Sequence, residues 1–380
     1  MAEHKKHHFV PRFYLKLFSE NGLSINLFNI RSRKPVIDGG LKNQCYRDYF
    51  YGKDLQTEKT LSVVEGHMSR ILQSVQSDGK LPNYNSEDRL TFLLHIVMQH
   101  TRTAYSVDAY DEQTDKLMKY LMTPEMEKMN FSREDIEKLK ITQKESASFV
   151  LNMAAPYYPL LIDLEWKLLR ATATNEFITS DNPVVYYNQY FDFRRFSSNT
   201  GLASKGLQIF FPISSKYLVL IYDAKVYGVG PRKSDILDVT DPRDIEQLNR
   251  LQFVSALENI YFRDKNFQPL QKFQASKKYR RPQKSHMQVF LSEETQEYRK
   301  EFLVMSREDV RTDLELSFLR ILKPAKEWRR IFQAMKSQPA IVVRNEQLMR
   351  DHEDFMKLVD AKHYNPGDFF KYIREKYPTN

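Results

Sequence analysis

Between Trp166 and Ala224 the chain reads WKLLRATA (166–173), EFITSD (176–181), PVVYYN (183–188), GLQIFFPIS (206–214) and KYLVLIYDA (216–224). These short runs are rich in β-branched and aromatic residues and are separated by Asn, Asp, Gly, Ser and Pro, the pattern of strands joined by turns. They predict a mostly antiparallel central sheet. On the N-terminal side the period becomes helical, with Leu61, Val64, Met68, Ile71, Leu72 and Val75 on one stripe of a helix over 55–76. A second helix starts after Ser86, an N-cap followed by Glu87 and Asp88, with Leu90, Leu93, Leu94, Val97 and Met98 as its core face. Further helical stretches cover 108–122 and, interrupted by Pro156 and Pro159, 146–162. The charged segment 122–146 reads as an exposed connector containing a short helix. Nearer the start, PRFYLKLF (11–18) is a short helical turn closed by Asn21-Gly22, and LSINLFNI (23–30) alternates as a strand. Downstream, Thr240 or Asp241 caps a helix with Pro242 in its first turn. The fold class expected is α+β, with N-terminal helical segments packed with the central, mostly antiparallel sheet and a charged helical C-terminal region. The expected division is a core over 1–280 and that C-terminal region over 281–380.

Hydrophobic residues are 41% of the 380-residue chain and aromatics 13%, enough to bury a core. A single cysteine, Cys45, excludes an internal disulfide framework and multi-cysteine metal clusters and fits a reducing compartment. The start, MAEHKKHHFVPRFYLKLF, lacks the uninterrupted apolar run of a secretory signal, and no stretch approaches a membrane span. A cytoplasmic location with no membrane partner is therefore expected. The formal charge of +9 favours an anionic partner, DNA or RNA. There is no Walker loop, GxGxxG, HExxH, GxSxG or zinc-finger spacing, so P-loop and serine-hydrolase chemistry lose support.

Four motifs stand in order along the chain: HHFVPRFYLKLF (7–18), MQHTRT (98–103), FITSDNPVV (177–185) and FPISSKYLVLI (211–221). In this order they resemble the bacterial Domain of Unknown Function 4238 family, over roughly residues 5–262. The resemblance implies an accessory protein of mobile-element or defence neighbourhoods and directs attention to these motifs, without implying a reaction.

Imidazole is the commonest metal ligand and titrates near neutrality, so the His7-His8 pair is the first candidate. In an extended segment, which Pro11 favours, the two point opposite ways. Ser180, Asp181 and Asn182 sit in a turn between two strands that would present hydroxyl, carboxylate and amide together. On the second helix, His95, Gln99 and Arg102 form a polar stripe opposite the leucine face, suited to a phosphate, with Arg102 favoured for its planar guanidinium. Glu65, and Glu58 seven residues before it, lie at the edge of an apolar stripe, where a carboxylate must find a partner or coordinate something. Between Arg263 and Lys284 eight Lys or Arg face one acid, with Phe267, Phe273 and Tyr279 interleaved, a composition suited to tracking a nucleic-acid backbone.

The expected function is nucleic-acid processing by a divalent-metal nuclease in a defence or toxin context. His7, His8, Glu65 and Asp181 would be catalytic, with His8, Glu65 and Asp181 holding Mg2+ or Mn2+. Arg12, His95, Gln99, Arg102, Ser180, Asn182, Lys277, Lys278, Arg280 and Arg281 would hold substrate. The alternative is a non-catalytic module that senses nucleic acid or a partner protein.

Overall fold

A computed structural model describes residues 5–53, 55–172, 175–194, 199–268, 273, 286–291, 301–306, 310–335, 339 and 341–378. The chain opens with β1 (Lys6–His8), α1 (Arg12–Leu15), β2 (Ser24–Asn29), β3 (Lys34–Gly40) and β4 (Tyr46–Asp48). A helical block follows: α2 (Gln56–Asp78), α3 (Glu87–Thr101), α4 (Ala104–Lys128), α5 (Arg133–Lys138) and α6 (Ser146–Ala154). Then come β5 (Glu165–Ala171), β6 (Thr179–Ser180), β7 (Val185–Tyr187), β8 (Gln208–Pro212), β9 (Tyr217–Tyr222), β10 (Tyr227–Val229), β11 (Ile236–Val239), α7 (Pro242–Ser255) and β12 (Asn259–Phe262). The last part holds a hairpin of β13 (His286–Leu291) and β14 (Glu301–Ser306), then β15 (Leu319–Ile321), α8 (Lys323–Ala334), α9 (Glu346–Asp360) and α10 (Phe369–Lys376). The class is α+β, and the strand pairs are antiparallel apart from β11 with β5. The C-terminal region is less purely helical than its composition suggested, since it contributes the β13–β14 hairpin and β15. No described helix is long and apolar enough to cross a membrane.

The main sheet has the order β11-β5-β9-β8-β7. Its side chains alternate between two cores, as the strand period of two requires. On β9, Tyr217, Val219 and Ile221 join one core while Leu218, Leu220 and Tyr222 join the other. Burial on both faces explains why the sequence here is an unbroken apolar run and not an alternating one. Against the first face pack α1, α2 and α3, with Phe92 of α3 4.9 Å from Trp166 of β5. Against the second face pack α7 and, from the C-terminal region, Leu314, Leu316, Ala325 and Phe332. That region is tied on further by β15 pairing with β10 and by Arg344 bonded to Asp163 at 2.8 Å.

A second sheet, β3-β2-β12-β6, carries the N-terminal strands. The segment from β6 to β7 therefore passes from one sheet to the other and is not a hairpin turn. Gly206, which leads into β8, has φ +77°, and a Cβ there would lie 2.6 Å from that of Tyr190, so only glycine fits.

Candidate acid–base site at the N-terminal strand

β1 pairs antiparallel with β4, placing His7 opposite Arg47 and His8 opposite Tyr46. Alternation then sends the two histidines to opposite sides, as the sequence predicts. His7 turns inward and is buried. Its Nδ1 accepts the Tyr51 backbone N–H at 3.2 Å and its ring stacks on the Tyr51 ring at 5.7 Å. An Nδ1 that accepts leaves the neutral ring's proton on Nε2. His8 donates from Nδ1 to the Gln44 carbonyl at 3.0 Å. Burial pushes its pKa down to about 4, with Arg12 and Lys6 adding to the effect.

This depression fixes a sign. The unfolded chain protonates His8 below its ordinary 6.5 while the native state resists until about 4, so the contribution is present above 6.5 and lost as pH falls toward 4. His8→Asn keeps a donor for Gln44 and removes the titration. Urea unfolding at pH 7.5 and 4.5 is expected to show a smaller acid-induced loss in the variant than in the parent chain; equal losses would refute the assignment.

The interior beyond β1 is a chain of hydrogen bonds anchored on α3. Gln99 Nε2 donates to the Phe9 carbonyl at 3.0 Å, fixing the amide so that its Oε1 accepts from Arg102 Nε and Nη2 at 3.0 and 2.8 Å. Arg102 Nη1 then binds Glu65 Oε1 at 2.6 Å. The guanidinium is 1% exposed. Burial works against its charge, yet Glu65 and Tyr51 hold its pKa above the usual guanidinium value. Seven residues before Glu65 on α2, Glu58 is half-buried. Burial raises its pKa, His7 and Arg102 pull it down, and Glu65 raises it. One imidazole, two carboxylates and one guanidinium thus act on each other at the root of the N-terminal strand.

Three expectations change here. His95, Gln99 and Arg102 were expected on a face open to phosphate, but each is 1% exposed. The reason is that α3 is covered by α2 on one side and by the sheet on the other, so its polar stripe faces protein. His95 lies between the rings of Phe13 and Phe211, and burial holds its pKa well below the usual imidazole value.

The central turn also faces inward. Asp181 accepts the backbone N–H groups of Leu257, Glu258 and Asn259 at 2.8, 2.7 and 2.8 Å, closing the exit from α7 into β12. Burial pushes its pKa up to about 6 against those three donors. Ser180 donates to Gln252 Oε1 at 2.9 Å, and Asn182 donates to the hydroxyl of Ser255 at 2.8 Å. These residues lock α7 to the turn, so the substrate-holding role expected of Ser180 and Asn182 finds no exposed group to perform it. The N-terminal motif touches the strand leading into this turn through Tyr14, whose hydroxyl donates to the Pro212 carbonyl at 2.7 Å and accepts from Thr179 at 2.6 Å.

The expected ligand set of His8, Glu65 and Asp181 is not assembled, because each is committed elsewhere: to Gln44, to Arg102 and to three amides. Among the described residues no group of three or more His, Cys, Asp or Glu is placed to hold a metal ion. Lys277, Lys278, Arg280 and Arg281 lie outside the described residues.

The protein family described as Protein of unknown function (DUF4238) matches residues 6–266. The chain belongs to this family. No curated protein and no solved structure matches it. The DUF4238 span contains all of the acid–base cluster and the central turn. Within it, sequence reasoning passed over Tyr14, Tyr51 and Gln252 and left Glu58 out of the catalytic set. Glu58 was within reach, since its seven-residue offset from Glu65 puts both on one side of α2; nothing in the pattern singles out the other three.

The surface around β1 and β4 is basic and aromatic. Lys6 lies over the Tyr46 ring at 4.3 Å and Lys53 over the Tyr49 ring at 5.6 Å. Tyr49 is 42% exposed, and Arg12 is exposed beside His8.

Proposed function

We propose that the DUF4238 protein is a nucleic-acid-processing hydrolase, a nuclease of a bacterial defence or toxin system, whose proton-transfer group is Glu58. The observation that carries this reading is the placing of the half-buried Glu58 on the same side of α2 as Glu65, whose buried partner Arg102 and the buried His7 both act on it while burial raises its pKa. A site in which one carboxylate is held by a guanidinium while another is pushed toward its protonated form separates their roles. Glu58 then gives its proton to the leaving oxygen as that P–O bond breaks and a water oxygen bonds to phosphorus; the water's surplus proton restores Glu58. His7 acts on Glu58 through its charge, and Arg102 holds Glu65 in place beside it. Lys6, Lys53 and Arg12 with the Tyr46 and Tyr49 rings supply the phosphate and base contacts that a polyanion needs. The Mg2+ or Mn2+ expected from the sequence enters as an arm of the assay.

The second reading is a non-catalytic sensor that binds nucleic acid over the same rim. It is favoured by the internal commitment of Arg102 and Asp181, which leaves a binding surface needing no catalytic group.

Single- and double-stranded DNA and RNA oligonucleotides, incubated with Mg2+, Mn2+ or chelator, separate the two. Glu58→Gln is expected to lower cleavage by about a hundredfold or more, within the usual range for a general acid, with the melting temperature preserved. In the parent chain the rate should fall along a limb lying above the ordinary glutamate range, because burial raises Glu58. Cleavage indifferent to Glu58→Gln would reject the assignment. Binding without cleavage by the parent chain would establish the sensor.

A further inference from the structure

Three non-glycine residues in the stretch that links β4 to α2, Cys45, Tyr49 and Leu55, have left-handed backbone, with φ +51°, +52° and +59°. In that conformation Cβ crowds the following carbonyl, so a bulky side chain there costs stability unless something offsets it. Cys45 is buried, with its thiol 3.2 Å from the Tyr261 hydroxyl, and Leu55 is half-buried at the start of α2. Tyr49 has no such return from the core, because it is 42% exposed. Its backbone is fixed all the same. The N–H donates to the Lys5 carbonyl at 2.8 Å, and the carbonyl accepts from the Gly52 N–H at 3.0 Å. A glycine would make both bonds without strain. A bulky ring held outward on a strained and well-anchored backbone points to a use for the ring itself.

That ring stands against the acid–base cluster. His7 stacks on the buried Tyr51 at 5.7 Å and meets the Tyr49 ring edge-on at 6.2 Å, with 78° between the planes. Tyr49 is therefore an exposed ring in contact with the imidazole that acts on Glu58. Tyr46 serves the other side of the ribbon, opposite His8 and 5.9 Å from its ring. The exposed Lys53 places its ammonium 5.6 Å from the centre of the Tyr49 ring, a cation for the phosphate next to any base lying there. In a duplex the base faces are stacked on one another and offer nothing to a protein ring. Unpaired bases do offer a face, and an aromatic side chain beside a cation is the usual platform for them.

We propose that Tyr49 is a base-stacking platform and that the nucleic acid taken by this site is single-stranded, with one unpaired base on the Tyr49 ring beside His7 and its phosphate on Lys53. This names the substrate class of the site described above and rests on that reading.

The test follows binding of fluorescein-labelled single-stranded DNA and RNA oligonucleotides, and of blunt duplexes of the same sequence, to the full chain by anisotropy in the presence of chelator. Single strands are expected to bind about tenfold or more tighter than duplexes, and the DNA and RNA arms report which sugar is preferred. Tyr49→Leu should weaken single-strand binding about tenfold and remove most of the preference over duplex, the scale of one stacked base, while Tyr49→Phe keeps both. Tyr49→Gly removes the ring and the backbone strain together. It should bind single strands as weakly as Tyr49→Leu with a melting temperature unchanged or higher, a pairing that a merely structural tyrosine would not give. Duplexes bound as tightly as single strands, or single-strand binding indifferent to Tyr49→Leu and Tyr49→Gly, overturn the proposal, and so does the absence of any binding. Where the leucine variant fails to fold, the glycine and phenylalanine variants carry the comparison. Single-strand binding that depends on Tyr49 without any cleavage keeps this platform and sinks the hydrolase. Cleavage that depends on Glu58 but not on Tyr49 or on strandedness does the reverse.

Discussion

Glu65→Ala is expected to destabilise the protein by about 3 kcal/mol, toward the lower end of the usual cost of leaving a buried charge without its partner. The guanidinium of Arg102 is 1% exposed and has Glu65 at 2.6 Å as its anionic partner, with Gln99 as a neutral one. The lower end applies because Glu65 is 26% exposed, so some water reaches the pair. Removing both charges is a different experiment. In Glu65→Leu with Arg102→Met no ion remains to be desolvated, and the double variant should recover most of the loss. Urea unfolding of the two singles and the double measures it. A loss below about 1 kcal/mol for Glu65→Ala, or a double variant as unstable as the single, would show that the pair is not holding α2 against α3 in this way.

Asp181→Asn should cost about 2–4 kcal/mol, from charge-assisted bonds lost and an amide NH2 turned toward backbone donors. Both carboxylate oxygens are in use, Oδ1 by Leu257 and Oδ2 by Glu258 and Asn259, so neither orientation of the asparagine amide satisfies all three N–H groups. The deficit falls at the exit of α7, which is why stability and not chemistry should register the change. Denaturant midpoints at pH 7.5, with activity expressed per folded molecule, test it. A variant as stable as the parent but without activity would return Asp181 to the reacting centre.

These two residues also show what a sequence can and cannot disclose. The strand runs around KYLVLIYDA and the Ser86 cap were legible because each follows from local chemistry, β-branched packing in one case and a side-chain oxygen for an orphan N–H in the other. His7 and His8 facing opposite ways was legible from the period of a strand. What pattern could not supply was the identity of partners far along the chain. Asp181 looks the same in a sequence whether it awaits a cation or meets the amides of residues 257–259. The stripe of His95, Gln99 and Arg102 reads as a polar face, and only the placement of α2 and the sheet around α3 makes it an interior one. The pairing of Glu65 with Arg102 spans 37 residues, and Tyr14 with Thr179 spans 165, separations at which one sequence carries no signal.

The two-faced burial of the main sheet ties the family-matched span to the C-terminal region. Tyr190, Phe191, Tyr227 and Val229 share their core with Val310, Leu314, Leu316, Ala325 and Phe332, all five of them beyond residue 266. A polypeptide stopped near that boundary would keep the ladders of its two larger sheets but lose the β10–β15 pair and turn this greasy face toward water, where the readiest remedy is adhesion to another molecule. The final third of the chain thus serves as an upholstered lid for the family core, and a protein built from the core alone would require some other cover for the same aromatic wall.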